Sequence, residues 1–115
     1  MNILIIDDEP LVRRSLEKSC QLRGHKTYLA CDGKEGYEKW TSIHPDLVFL
    51  DVMMPELSGP DLLAKMRDAN LVGTTKVVLI SAYAGDAATN LADLFIQKPF
   101  EDIFKVIEEA EGLVK

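Results

Sequence analysis

Four short stretches of consecutive apolar residues recur along the chain, at residues 3–6, 47–50, 77–80 and 94–96. Unbroken apolar runs of this length are typical of strands that are covered on both faces of a parallel sheet. Residues 26–30 differ, because they alternate and contain β-branched and aromatic side chains, which is also a strand pattern. The hydrophobic pattern therefore predicts five strands.

Helical signals lie between these strands. A helix-start signal at residues 8–10 precedes apolar side chains at helical spacing over 11–20, and further helices are predicted at 34–42, at 60–68 and from Glu101 onward. The apolar positions of the first and last helices are Leu11, Val12, Leu16 and Cys20, and Phe100, Ile103, Phe104, Ile107 and Ala110.

Alternating strands and helices imply right-handed crossovers and helices on both faces of one sheet. A chain of 115 residues can build one core but has no length for a second globular unit. We therefore predict an α/β fold with one domain over residues 1–115, a doubly wound (βα)5 three-layer sandwich around a five-stranded parallel sheet.

Composition narrows the class of protein. No apolar run approaches the roughly 20 residues of a membrane-spanning helix, and the first residues resemble neither a signal nor a transit peptide, so we expect a cytoplasmic location without membrane binding. The net charge of −6 opposes direct nucleic-acid binding. Cys20 is expected to be a buried thiol and Trp40 a packing residue, whereas His25 and His44 are expected to face solvent.

Candidate chemistry lies where the predicted strands end. Asp7 and Asp8 follow the first strand, Asp51 the third and Ser81 the fourth, and Lys98 comes shortly after the fifth. Parallel strands share one carboxyl edge, where open α/β sheets place their ligands, so these side chains should converge. Two ionised carboxylates about 5 Å apart repel by about 3 kcal/mol at an effective dielectric near 20. Either one carboxyl stays protonated or a hard divalent cation binds, and oxygen ligands near solvent favour Mg²⁺.

The motifs resemble those of a known family. Asp7-Asp8, the string from Asp51 to Pro55 with Gly59 beyond it, Ser81-Ala82 and Lys98-Pro99-Phe100 match, in order and spacing, the receiver domain of two-component response regulators. The resemblance spans residue 2 to about residue 112. It implies a flavodoxin-like, CheY-like fold and a phosphorylation-dependent signalling switch of a phosphorelay, not an enzyme, whose own chemistry is Mg²⁺-dependent self-phosphorylation and self-dephosphorylation. It also implies a cis Lys98-Pro99 bond.

The resemblance assigns a role to each matched residue. Asp51 would accept a phosphoryl group from a histidine kinase or a phosphotransfer protein. Asp8 and Asp51 would bind Mg²⁺ directly, Met53 would add its backbone carbonyl, and Asp7 would act directly or through water. Lys98 would neutralise a phosphoryl oxygen during the transfer.

Two further residues would transmit the signal. Ser81 would donate its hydroxyl to the phosphoryl group, and Phe95 would then rotate inward, which changes the surface that partners recognise. The partner would be a downstream output protein or a fused output domain, and the domain would be a monomer or a phosphorylation-dependent dimer. Lys98 lies only 17 positions after Ser81, fewer than in typical family members, so we predict a shortened fourth helix at residues 87–92 and a remodelled output face.

Two other functions stay open at this stage. A Mg²⁺-dependent phosphohydrolase could use Asp51 as its nucleophile, although Met53 occupies the position where such phosphatases carry a second aspartate. A pseudo-receiver that acts only as an interaction module is the other alternative, but such a module is expected to have lost Asp51 or Lys98.

Overall fold

The computed structural model of the protein describes residues 1–82 and 92–114. The described strands are β1 Asn2–Ile6, β2 Lys26–Ala30, β3 Leu47–Asp51, β4 Lys76–Ser81 and β5 Leu94–Gln97. The described helices are α1 Pro10–Leu22, α2 Gly33–Ile43, α3 Gly59–Asp68 and α4 Ile103–Val114. The predicted short helix at 87–92 falls almost entirely outside the described residues.

All five strands run parallel in one sheet with the order β2-β1-β3-β4-β5. In this order β1 and β3 are interior strands, and they pair directly, with Ile6 opposite Leu50. Their carboxyl ends therefore lie side by side at the same edge of the sheet. The predicted doubly wound, flavodoxin-like fold is confirmed.

The sheet carries a separate apolar core on each face. In β1, Leu4 and Ile6 pack in the core beneath α2 and α3, whereas Ile3 and Ile5 pack in the core beneath α1 and α4. Successive side chains of a strand point to opposite faces, so a strand that is buried on both faces must be apolar at every position. This geometry explains the unbroken apolar runs.

Local capping sets where the helices begin. The Asp32 side chain accepts a hydrogen bond from the backbone N–H of Glu35 at 2.8 Å, which starts α2. The last helix begins at Ile103 and not at the predicted Glu101, because the Asp102 carboxylate accepts hydrogen bonds from the backbone N–H groups of Phe104 and Lys105. Asp102 thus satisfies amide donors that have no partner inside the helix.

Two of the residues expected to pack inside do so, and one of the two histidines expected to face solvent does not. Cys20 and Trp40 are buried as predicted, and His44 is exposed. The prediction for His25 is wrong: its side chain is only 11% exposed, because it contacts the Glu111 carboxylate at 2.5 Å and the Met1 amine at 3.1 Å.

The apolar face predicted for α1 needs a second correction. Leu16 and Cys20 are fully buried in the core, but Leu11 is 79% exposed. Leu11 lies in the first turn of its helix and lines a surface groove that also contains Lys98. Its side chain therefore borders the candidate site rather than the core.

Candidate functional site

Neighbouring strands bring acidic side chains together at the carboxyl edge of the sheet. Asp51 is the last residue of β3, and Asp7 follows β1 directly; both are buried, at 2% and 0% exposure. Carboxylate oxygens of Asp7, Asp8, Glu9 and Asp51 all lie within 4.8 Å of one another, and Asp8 and Glu9 are exposed. The predicted convergence of Asp7, Asp8 and Asp51 is what the geometry shows.

Lys98 supplies a positive charge to this cluster. Its Nζ lies 3.2 Å from Asp7 Oδ2, 3.3 Å from Asp51 Oδ1 and 2.8 Å from Glu9 Oε1. The Lys98 backbone N–H donates to the Ser81 carbonyl at 2.6 Å, and the Lys98-Pro99 bond is cis, as the resemblance implied. The end of β5 is thereby joined to the end of β4.

Burial and mutual repulsion disfavour the charged form of these acids. Burial and, after it, the charge of Asp7 raise the pKa of Asp51 to about 7, although Lys98 acts in the opposite direction. Burial also raises the pKa of Asp7 above its ordinary value. For Lys98, burial lowers the pKa, but the hydrogen bond to Glu9 and the charges of Asp7 and Asp51 outweigh burial and raise it. Lys98 is therefore charged, and any cation that binds the acids must compete with protons for their carboxylate oxygens.

The backbone around the acids is held tightly. The Glu9 backbone N–H donates to Asp7 Oδ1 at 2.8 Å, and the Arg13 guanidinium donates to the Asp7 carbonyl at 2.6 Å. On the β3 side, the Gly59 N–H donates to the Val52 carbonyl at 3.0 Å. A Cβ atom at Gly59 would lie only 2.1 Å from the Asp51 carbonyl oxygen. Glycine at this position therefore allows α3 to start directly against the loop that follows Asp51.

The three other predicted site residues lie on or next to the strands that carry this cluster. Ser81 ends β4 and is fully buried, and its register partner is Gln97, immediately before Lys98. Met53 is 59% exposed two positions after Asp51. Phe95 is half-buried on β5 and packs against the core beneath α2 and α3.

The donor set fits a hard divalent cation. All of the clustered ligand atoms are oxygens, two of the four residues are buried and two are exposed, so an ion there would keep contact with water. Mg²⁺ prefers a few carboxylates and retains several waters, which agrees with this arrangement. The pKa of Asp51 is raised mainly by burial and then by the charge of Asp7, so a bound cation would favour the ionised form that burial disfavours.

Sequence reasoning missed Glu9 as a member of the site. It was interpreted only as part of the helix-start signal, yet its carboxylate makes the shortest of the three Lys98 contacts. Three consecutive acids at the end of a central strand were the available signal. The contact itself joins residues 89 positions apart, which no local pattern indicates.

Comparison with known proteins identifies the family. The profile of the response regulator receiver domain matches residues 3–108, so the chain belongs to this family. It is therefore a receiver domain of two-component response regulators, the class that signals in a phosphorylation-dependent manner.

Relatives and solved structures agree with this assignment. The chain is 42% identical over 82 residues to the regulatory protein AtoC of Escherichia coli, and the alignment covers 71% of the chain and 17% of AtoC. It is 38% identical over 106 residues to the response regulator MprA of Mycolicibacterium vanbaalenii, and this alignment covers 87% of the chain and 45% of MprA. The crystal structure of Thermotoga maritima response regulator TrrA in complex with Mg²⁺-BeF is similar, with a TM-score of 0.86, 31% identity and 97% of each chain covered.

The chain thus corresponds to less than half the length of these two curated relatives. Within residues 1–82 and 92–114, no helix is both long enough and apolar enough to cross a membrane.

Proposed function

We propose that Asp51 is the phosphoacceptor of this receiver domain and that it reacts in a Mg²⁺-dependent step. The observation that carries the proposal is the position of Asp51: a buried carboxylate at the end of a central strand, with Lys98 Nζ 3.3 Å from its Oδ1 and other carboxylates within 4.8 Å. A nucleophile between a cation-binding cluster and a fixed ammonium is what phosphoryl transfer requires.

Each residue has a defined part in the transfer. An Asp51 carboxylate oxygen attacks phosphorus in line and forms a new O–P bond. The bond between phosphorus and the donor's histidine nitrogen breaks, and its electron pair stays on the nitrogen. Asp7, Asp8, Asp51 and the backbone carbonyl of Met53 would hold Mg²⁺, which supplies positive charge against the phosphoryl oxygens. Lys98 binds a second phosphoryl oxygen and keeps the group oriented.

Ser81 and Phe95 transmit the effect of phosphorylation from Asp51 to the protein surface. The Ser81 hydroxyl donates to the new phosphoryl group from the end of β4, next to the acceptor strand. Phe95 lies on β5, three residues before Lys98, and its rotamer follows the position of the Ser81 segment. Changing the ratio of two conformations from 1:99 to 99:1 requires about 5.5 kcal/mol of preferential stabilisation. The phosphoryl group provides this preference through Ser81 and Lys98.

The phosphodonor is a histidine kinase or a phosphotransfer protein that docks beside α1. An apolar groove between α1 and the start of α4 is lined by the exposed side chains of Leu11 and Phe104 and also by Glu9 and Lys98. Because Lys98 lines both the groove and the acceptor site, a protein seated there presents its phosphohistidine to Asp51. The output is a partner protein or a fused output domain, and the location is cytoplasmic.

Docking and chemistry can be separated by experiment. We expect Leu11→Asp to slow transfer from a kinase that phosphorylates the wild-type chain by about tenfold or more, as for other buried apolar anchors of interfaces. The same variant should react normally with acetyl phosphate, because Leu11 is not among the residues proposed to bind Mg²⁺ or the phosphoryl group. An equal loss with both donors would contradict docking in this groove.

The acceptor chemistry itself is tested by intact-mass analysis. After incubation with acetyl phosphate and Mg²⁺, the wild-type protein should gain one phosphoryl group, and the gain should disappear with a chelator or in Asp51→Asn. Multiple turnover of a generic phosphate ester would favour a phosphohydrolase instead. Absence of an adduct, together with no binding of beryllofluoride, would favour a phosphorylation-independent interaction module.

A further inference from the structure

Lys98 is shared among three carboxylates, and the contacts differ in one important respect. The distance from Nζ is 2.8 Å to Glu9 and 3.2 and 3.3 Å to Asp7 and Asp51. The side chains of Asp7 and Asp51 are almost fully buried, whereas that of Glu9 is 59% exposed. The closest partner of Lys98 is therefore the one at the mouth of the site.

An ammonium group has three N–H donors. In this structure three carboxylates lie within ion-pair distance of the Lys98 ammonium, so a phosphoryl oxygen that approaches Lys98 must displace one of them. Asp7 and Asp51 are buried and are also proposed to hold Mg²⁺, so neither can swing away from Lys98 into water. Glu9 can turn into water, and exposed ion pairs contribute only about 0.2–1 kcal/mol. Glu9 is thus the partner that Lys98 can release.

Capping of α1 does not explain the position of the Glu9 side chain. It occupies the N-cap position of α1, but its side chain makes no capping hydrogen bond. The carboxylate is directed to Lys98 instead. A residue that served only to start the helix would direct its side chain to the first amide groups of α1.

We propose that Glu9 is a positioning residue that holds the Lys98 ammonium in the unphosphorylated protein and yields it to the phosphoryl group. The inference rests on the proposed function, because it requires Lys98 to bind a phosphoryl oxygen. Glu9 also adds negative charge next to the cation-binding oxygens. Its removal should therefore have opposite effects on the two ligands, weaker binding of Mg²⁺ and tighter binding of a phosphoryl mimic.

The test is calorimetric titration of Glu9→Gln at constant ionic strength, first with Mg²⁺ alone and then with beryllofluoride at saturating Mg²⁺. We expect Mg²⁺ binding to weaken and beryllofluoride binding to tighten, each by about two- to fivefold, the range of an exposed ion pair. Glu109→Gln carries the same charge change at an exposed position of α4 and should change neither affinity. Glu9→Asp keeps the charge but withdraws the oxygen from Lys98, so it should preserve Mg²⁺ affinity and still tighten beryllofluoride binding.

The possible outcomes separate the explanations. Equal beryllofluoride affinity in wild type and Glu9→Gln would overturn the inference while leaving the proposed function intact. Tightening in Glu9→Gln but not in Glu9→Asp would overturn it in favour of a simple charge effect. Loss of Mg²⁺ binding by about a hundredfold or more in Glu9→Gln would make Glu9 a metal ligand instead. A wild-type protein that binds no beryllofluoride would overturn both the inference and the proposed function.

Discussion

Gly59 is the position where one added methyl group should disturb the acceptor strand most directly. In Gly59→Ala the new Cβ would lie 2.1 Å from the Asp51 carbonyl oxygen and 2.9 Å from its carbonyl carbon. The two segments must separate by about 1 Å to restore van der Waals contact. Both contacting atoms are backbone of a central strand, so they cannot move aside as a flexible side chain would.

We expect Gly59→Ala to lower the free energy of unfolding by about 2–3 kcal/mol, as overpacking of a tight core does. For a domain of this size that corresponds to a decrease in Tm of about 8–12 °C. Gly112 in α4 provides a matched control, because a Cβ there would meet nothing within 4 Å. Gly112→Ala should stabilise the protein by about 0.5–1 kcal/mol, since alanine is the better helix former.

Urea unfolding of wild type and both variants provides the measurement, with the formation of the phosphoryl adduct as a second readout. Gly59→Ala should also react more slowly with acetyl phosphate, because the displaced backbone belongs to Asp51. A Gly59→Ala variant as stable as wild type would show that the backbone absorbs the added Cβ without cost. A change of stability in the same direction in both alanine variants would likewise contradict the expected steric effect.

Three further predictions concern the charged groups. Lys98→Met should slow adduct formation with acetyl phosphate by about a hundredfold without weakening Mg²⁺ binding in calorimetry; weaker Mg²⁺ binding would contradict the assigned role. Because the Asp51 pKa is raised to about 7, stability without Mg²⁺ should fall as pH rises from about 4 to 7. Asp51→Asn should consequently be more stable than wild type at pH 8, by about 1–3 kcal/mol in urea unfolding, and a less stable variant would contradict this. Arg23 and, to a lesser extent, His25 lower the pKa of Glu111 to about 2. Glu111 should therefore stabilise the protein above about pH 4.5 and lose this effect as the pH falls towards 2. Glu111→Gln should therefore cost about 1–2 kcal/mol at pH 7, and a cost that does not shrink at pH 3.5 would contradict the sign.

The strands and the acidic cluster were predictable because both depend on short-range sequence features. A strand buried on two faces requires consecutive apolar residues, and β1 and β3 show such runs. Parallel strands place their carboxyl ends at one edge, so the sequence alone predicts that Asp7, Asp51 and Lys98 meet there. The assignment of roles came from the resemblance, since spacing alone does not distinguish an acceptor from a ligand.

The features that sequence reasoning missed depend on side chains that are distant in the chain. His25 appeared polar and solvent-facing, but Glu111 on α4 covers it across a separation of 86 positions. Leu11 has the spacing of a core residue, yet it is 79% exposed, while the adjacent Val12 packs against the core. Glu9 resembled a helix cap until its contact with Lys98 was visible. Periodicity identifies the face of a helix and leaves open which partner that face meets.

The central claim is that phosphoryl transfer occurs on Asp51, and trapping the acyl phosphate tests it most directly. The protein is treated with acetyl phosphate and Mg²⁺, reduced with borohydride, which converts an aspartyl phosphate to homoserine, and digested for tandem mass spectrometry. We expect homoserine at position 51 in the wild type, and unmodified Asp51 when Mg²⁺ is chelated. Homoserine at Asp7, Asp8 or any other acid, with Asp51 unmodified, would contradict it.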